Sequence, residues 1–340
     1  MVVAEPAIAR QQLPKIGLGC GVFSGAYGPI SHKDIVGVIR TALSNGVNMV
    51  DTSPYYNDSE IKLGKALQEL KTEFPRSSYR ISTKLGRYGY HKSDFDYSAE
   101  RVVSSVAESM RRLHTDYLDS VLCHDVEFVD MAQIVDVTLP KLFELKQCGS
   151  VRQVGISGYP LDVLLRIAQI QYERGYPIDV CLSYCNFNLH CQRLPDYVPL
   201  LRAAGVKTII VASPLSMGLL HQDAPPDWHP AKPELKKAVL QCKELIRLPR
   251  PLNSTAHDIS LAKIAESFAF SFDSVDLHLI GAKTSAEITC ALEAYKQAQS
   301  LQLAYGGRYP DDDTQKIYEQ IRRILQPFSD YTWPSPPPDA

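Results

Sequence analysis

The sequence predicts an α/β chain folded as a single-domain (β/α)8 TIM barrel, and three observations carry that prediction. Short β-branched apolar runs alternate with helix-period segments eight times along the chain. Capping residues and glycines fall at the joints between them. Four groups able to hold or steer a proton, Asp51, Tyr56, Lys84 and His124, come at or just past the ends of successive strands. In a closed parallel barrel the carboxyl ends of the strands open on one mouth, so groups distant in sequence share a pocket.

The units follow in order. Strand 15–19 precedes helix 33–45, strand 47–51 precedes helix 60–70, and strand 79–84 precedes helix 99–113. Strand 118–123 feeds helix 131–147, strand 151–156 feeds helix 161–174, and strand 178–183 feeds helix 195–204. Strand 207–211 leads into a longer connection, and strand 275–280 is followed by helix 285–298. Ser31 with Asp34, Thr255 with Asp258, and Thr284 with Glu287 each have the spacing of a capping box, in which two side chains satisfy orphan backbone donors. Gly46 and Gly205 stand between a helix and the next strand, where glycine closes a left-handed C-cap at least cost.

The chain has 340 residues, whereas such a barrel occupies about 250, so the remainder is insertion and extension. A large loop, 220–252, carries a helix near 234–246, and a further helix spans 312–325. The domain reading is a barrel over 1–326 and a proline-rich C-terminal tail over 327–340. That tail suits polyproline or linker-like chain, a partner-binding segment, or a fold back over the mouth.

Hydrophobic residues make up 45% of the chain and the net charge is -2, which gives no electrostatic reason to seek nucleic acid or anionic membrane. No apolar run approaches the roughly 18 residues needed to span a bilayer, and the start lacks secretory character. A cytoplasmic protein, monomeric or weakly homo-oligomeric, is expected. The eight cysteines make no CxxC pair. Cys181, Cys185, His190 and Cys191 cluster without a zinc-ligand spacing, so reduced thiols and no metal are expected. The sequons at Asn57 and Asn253 read as chance matches.

A tyrosine phenol transfers protons poorly at neutral pH because its reference pKa is about 10. A nearby ammonium lowers that value by roughly one to three units, and a carboxylate keeps the ammonium charged and fixed. Tyr56, Lys84 and Asp51 supply these types, and His124 can orient a substrate oxygen. The set suits proton transfer at a carbonyl or carbinol oxygen, half of a hydride transfer. Singly, each residue has a structural explanation: a helix cap for Asp51, a half-exposed aromatic for Tyr56, a solvated Lys84, a satisfied core histidine for His124. Their joint spacing favours the chemical reading.

These segments resemble the aldo-keto reductase family. Its Asp-Thr-Ala-x-x-Tyr-Gly-x-Ser-Glu segment is matched by Asp51-Thr52-Ser53-Pro54-Tyr55-Tyr56-Asn57-Asp58-Ser59-Glu60, followed by the strand-end Lys84 and His124. The resemblance implies Tyr56 as general acid/base, Lys84 as its tuner, Asp51 as the lysine's partner, His124 as the orienting group, and a nicotinamide cofactor at the barrel mouth. It assigns Ser157 to the nicotinamide carboxamide, with Gly158 where asparagine is frequent, and Tyr184 to the position of a glutamine. Ala212 stands where an aromatic often stacks on the nicotinamide. Ser213, Leu215, Ser216, Gly218 and Leu219 match the pyrophosphate loop. Gly281, Lys283, Thr284 and Glu287 match the adenosine segment, and Glu287 in place of a basic residue implies NAD.

Within the family the chain is similar to the branch of L-galactose dehydrogenase and fungal D-arabinose 1-dehydrogenase. That resemblance implies NAD-dependent oxidation of an aldose at C1 to its lactone. Phe23 as an apolar wall, with Tyr27, Tyr88, Asp125 and Tyr159 reading sugar hydroxyls, completes the expected site. The alternatives are an NADPH-dependent aldehyde or ketone reductase and a nucleotide-binding regulatory subunit.

Overall fold

The computed structural model describes residues 15–248, 259–305 and 308–333, so Thr255 and Asp258 lie outside the described residues, as do residues 334–340 of the proline-rich tail. Eight parallel strands close a barrel. They are β1 (Ile16–Gly19), β2 (Met49–Asp51), β3 (Arg80–Leu85), β4 (Leu118–Cys123), β5 (Val151–Gly158), β6 (Val180–Tyr184), β9 (Thr208–Ala212) and β10 (Leu277–Ile280). Between β6 and β9 a short hairpin, β7 (Phe187–Asn188) with β8 (Cys191–Gln192), occupies a stretch the sequence does not distinguish from loop.

The helices that cover the barrel are α1 (His32–Ser44), α2 (Ser59–Glu69), α3 (Ala99–Leu113), α4 (Leu139–Gln147), α5 (Leu161–Glu173), α6 (Leu194–Ala203), α8 (Leu261–Phe270) and α9 (Ser285–Tyr305). The large loop carries α7 (Pro233–Arg247), against which α10 (Asp312–Leu325) packs. The helix expected over 131–147 opens as a π-helical turn, Gln133–Thr138. Pro140 lacks an N–H to donate, and the widened turn passes over that gap, with the Leu139 N–H donating to the Ile134 carbonyl.

The barrel interior is filled by a layer that includes Met49, Leu122, Val180, Leu182, Ile210 and Leu279. A side chain at Gly17 would sit 2.7 Å from Leu279, so glycine there leaves room for that layer. A second core lies between strands and helices, and a third joins α7, α8, α10 and Trp333. At the amino ends of the strands three carboxylates cap neighbouring backbones: Asp119 accepts from Ile81 N–H at 2.9 Å, Asp179 from Val154 at 3.0 Å, and Asp276 from Ile209 at 2.7 Å. That end is a stability face, and the opposite mouth is left to hold the site. Among the described residues no helix is long and apolar enough to cross a membrane.

Candidate active site

Asp51 ends β2 and pairs in register with Ser82, and Lys84 lies two residues further along β3 on the same face of the pleat. The Lys84 ammonium is bonded to Asp51 Oδ1 and donates to the Thr52 carbonyl at 2.9 Å, while Ser82 Oγ donates to Asp51 Oδ2 at 2.8 Å. Both charged groups are buried. Burial opposes the lysine's charge, but the Asp51 carboxylate and the Tyr56 phenol outweigh it and hold the ammonium above its ordinary range.

Tyr56 sits on the turn after β2 with Lys84 Nζ 5.0 Å from its ring centroid. Burial pushes its phenol up to about 12, with Lys84 pulling it down. Lys84 thus acts on Tyr56 in the expected direction, while desolvation of the phenolate exceeds its help and leaves the phenol above its ordinary value. His124 follows β4, edge-on to Tyr56 with centroids 5.7 Å apart. Burial first, then the charges of Lys84 and Arg87, hold its pKa well below the usual range, so the imidazole is neutral. Its Nδ1 lies 3.0 Å from Ser53 Oγ and its Nε2 lies 3.6 Å from Asp125 Oδ2.

All four groups line one cavity of about 860 Å³. Arg87, which the sequence reading passed over, lines it too: it donates to Asp125 Oδ2 at 2.6 Å and to the Tyr55 hydroxyl at 3.0 Å, and its guanidinium carbon lies 3.8 Å from the Tyr55 ring centroid. Asp125, in the left-handed region at φ 52°, therefore enters the site as half of an ion pair. Tyr27 and Tyr159 line the cavity. Tyr159 donates to Met217 Sδ at 3.2 Å, and Tyr27 packs edge-on against Trp228, whose Nε1 donates to the Ala26 carbonyl at 3.0 Å. The loops after β1 and β9 thus meet across the mouth.

Two substrate-side expectations are corrected. Phe23 is buried in the core between strands and helices, because the 3-10 turn Cys20–Ser24 points it inward; Val22 lines the cavity instead. Tyr88 borders the cavity, but its ring lies 4.0 Å under the Arg101 guanidinium and its hydroxyl is buried against α3.

On the cofactor side, Ser157 and Tyr184 line the cavity, Tyr184 edge-on to Tyr159 with centroids 5.0 Å apart. The loop after β9 takes three consecutive left-handed residues, Ser216, Met217 and Gly218, at φ 51°, 58° and 86°. This conformation costs about 1–2 kcal/mol per non-glycine residue, and such strain collects where loops grip ligands. It turns Ser213, Leu215, Met217 and Gly218 toward the cavity. Ser216 and Leu219 are corrected: Ser216 is buried with Oγ 2.8 Å from His190 Nε2, and Leu219 joins the core of α7 and α8.

Gly281, Lys283 and Glu287 line the far end, whereas Thr284 is exposed, off the cavity, and accepts the Glu287 N–H at 3.2 Å. Glu287 does not close the expected reciprocal box; its Oε2 accepts from Lys283 N–H at 2.7 Å. Lys283 Nζ donates to the Tyr27 carbonyl at 2.8 Å. Glu266 of α8 lines the same end, where burial and then the Glu287 charge push its pKa up to about 8. The cavity thus runs from the proton-handling groups, past a strained loop that presents Ser213, to an end lined by Glu266 and Glu287, and these residues fit an extended dinucleotide. Among the described residues no three His, Cys, Asp or Glu are grouped to hold a metal ion.

Residues 15–302 match the family described as the Aldo/keto reductase family. The chain is 37% identical over 328 residues to L-galactose dehydrogenase of Arabidopsis thaliana, covering 94% of this chain and 93% of that protein. It is 36% identical over 303 residues to D-arabinose 1-dehydrogenase of Saccharomyces cerevisiae, covering 88% and 86%. An aldo-keto reductase from Bacillus halodurans, solved in its holo form, shares the fold at a TM-score of 0.66 and 22% identity, over 97% of this chain and 96% of that one. With the whole barrel matched and both relatives covered nearly end to end, this chain belongs to the aldo/keto reductase family.

Proposed function

We propose that the protein oxidises an aldose at C1 to its lactone with NAD, and that Tyr56 is the general base. The observation that carries this reading is the buried Asp51–Lys84 pair beside Tyr56 on the wall of one elongated cavity. The names of the two relatives, L-galactose dehydrogenase and D-arabinose 1-dehydrogenase, support an aldose as substrate.

A bound oxidised nicotinamide supplies the hydride acceptor. The residues do the rest. Tyr56 takes the proton of the C1 hydroxyl as the C1–H bond gives up its hydride, and the C1–O bond becomes the lactone carbonyl. Lys84 stabilises the phenolate, and Asp51 keeps Lys84 charged and aimed. His124 holds the reacting oxygen. The Arg87–Asp125 pair, Tyr55, Tyr27 and Tyr159 offer polar tips and aromatic faces suited to a polyhydroxylated ring with apolar C–H patches. At the far end the Glu287 carboxylate disfavours a 2′-phosphate by like charge, and Lys283 Nζ is engaged with Tyr27, which supports NAD over NADP.

The test is initial rates of cofactor reduction by purified protein with NAD or NADP and D-arabinose, L-galactose, L-fucose or D-glucose, beside Tyr56→Phe. NAD reduction with one stereochemical set, abolished by the substitution, is expected. Turnover confined to NADPH and simple aldehydes would favour the reductase alternative, and cofactor binding without turnover a regulatory one.

A further inference from the structure

Ser53 stands where the family segment Asp-Thr-Ala has alanine, and its side chain reaches the candidate substrate-orienting histidine. Ser53 is fully buried, and among the described residues its Oγ has two partners. One is the Tyr55 N–H at 3.1 Å, which donates to it. The other is His124 Nδ1 at 3.0 Å. The hydroxyl proton of Ser53 has one acceptor in reach, His124 Nδ1, provided that nitrogen carries a lone pair. With a proton on Nδ1, the buried hydroxyl hydrogen of Ser53 would be left without a partner, a state proteins avoid.

The other ring nitrogen agrees. His124 Nε2 lies 3.6 Å from Asp125 Oδ2, and a protonated Nε2 faces that carboxyl favourably where a lone pair would not. Ser53 lies off the cavity that His124 lines, so the ring's Nε2 edge is the one turned toward it. In a neutral imidazole, the bond made by one nitrogen decides the state of the other.

We infer that Ser53 is a positioning residue that fixes His124 as its Nε2–H tautomer, so that His124 offers the substrate oxygen a donor and leaves proton acceptance to Tyr56. Its kinetic consequence rests on the hydride-transfer reading above; the tautomer itself does not.

The test is two-bond ¹H–¹⁵N correlation of the whole protein carrying ¹⁵N-histidine, with His124→Gln used to assign the ring. Expected is a wild-type His124 unprotonated at Nδ1 and protonated at Nε2, an Nδ1–H population in Ser53→Ala, and a return to Nε2–H in Ser53→Thr. In parallel, Ser53→Ala lowers kcat about tenfold or more with cofactor Kd unchanged, and Ser53→Thr recovers most of it. A wild-type His124 protonated at Nδ1, or a Ser53→Ala spectrum that stays wholly Nε2–H, overturns the inference. The wild-type spectrum decides even if the alanine variant does not fold. An Nε2–H His124 in a protein that oxidises no aldose sinks the substrate reading and leaves the role of Ser53 standing.

Discussion

The Glu127 carboxyl fills the space a side chain at Gly158 would take, with Oε1 accepting the Tyr159 N–H at 3.0 Å and Oε2 buried without a partner among the described residues. Burial, then the Asp125 charge, pushes this carboxyl up to about 8. Glycine at the end of β5 therefore answers to a neighbour 31 residues earlier, on the turn after β4 (158 − 127 = 31).

If that contact sets the residue, Gly158→Ala costs about 1–3 kcal/mol through overpacking. Glu127→Ala should relieve most of the cost, giving a clear coupling energy in a double-mutant cycle read by denaturant unfolding. Additive effects would show that the carboxyl moves aside freely.

Oxidation should quicken as pH rises, because the working form of Tyr56 is the phenolate and burial holds the phenol near 12. Replacing Lys84 with Met, together with Asp51→Asn so that no buried carboxylate is left unpaired, removes the cation that lowers it. The rise in kcat/KM should then move to higher pH. An unmoved profile would mean that Lys84 does not tune Tyr56.

Glu266 has a folded pKa of about 8 against an unfolded value of about 4.3, so between them the folded state binds more protons. Its contribution to stability is complete below the unfolded value and lost as pH rises through the folded one. Thermal unfolding should show Glu266→Gln gaining a few degrees over wild type at pH 8.5 and little at pH 5. An equal difference at both would place the Glu266 carboxyl in an ordinary environment.

The barrel was legible because buried parallel strands need short β-branched runs, and Asp51, Tyr56, Lys84 and His124 because strand ends fix which mouth they reach. What spacing does not encode is the direction of a side chain on an irregular loop. Ser216 and Leu219 face inward because residues 216–218 coil left-handed, and Phe23 is buried because its loop is a 3-10 turn. Arg87, Glu127 and Glu266 were missed for the opposite reason: their neighbours are distant in sequence. Trp333, whose Nε1 donates to Met217 Sδ at 3.1 Å, is likewise visible as part of the site's support only once the chain is folded.

Removing the Glu287 carboxylate at the far end, in Glu287→Gln, should raise kcat/KM for NADP relative to NAD about tenfold, equivalent to about 1.4 kcal/mol of relieved repulsion. Steady-state kinetics with both cofactors checks this. A ratio unchanged from wild type would remove the electrostatic basis for NAD preference.

The central claim is hydride transfer from the anomeric carbon. The direct measurement is turnover of an aldose deuterated at C1, with NMR of both products. Expected is the deuteron on C4 of the reduced nicotinamide and a lactone from the sugar, with neither formed by Tyr56→Phe. Deuterium retained on the sugar while cofactor is reduced would contradict oxidation at C1.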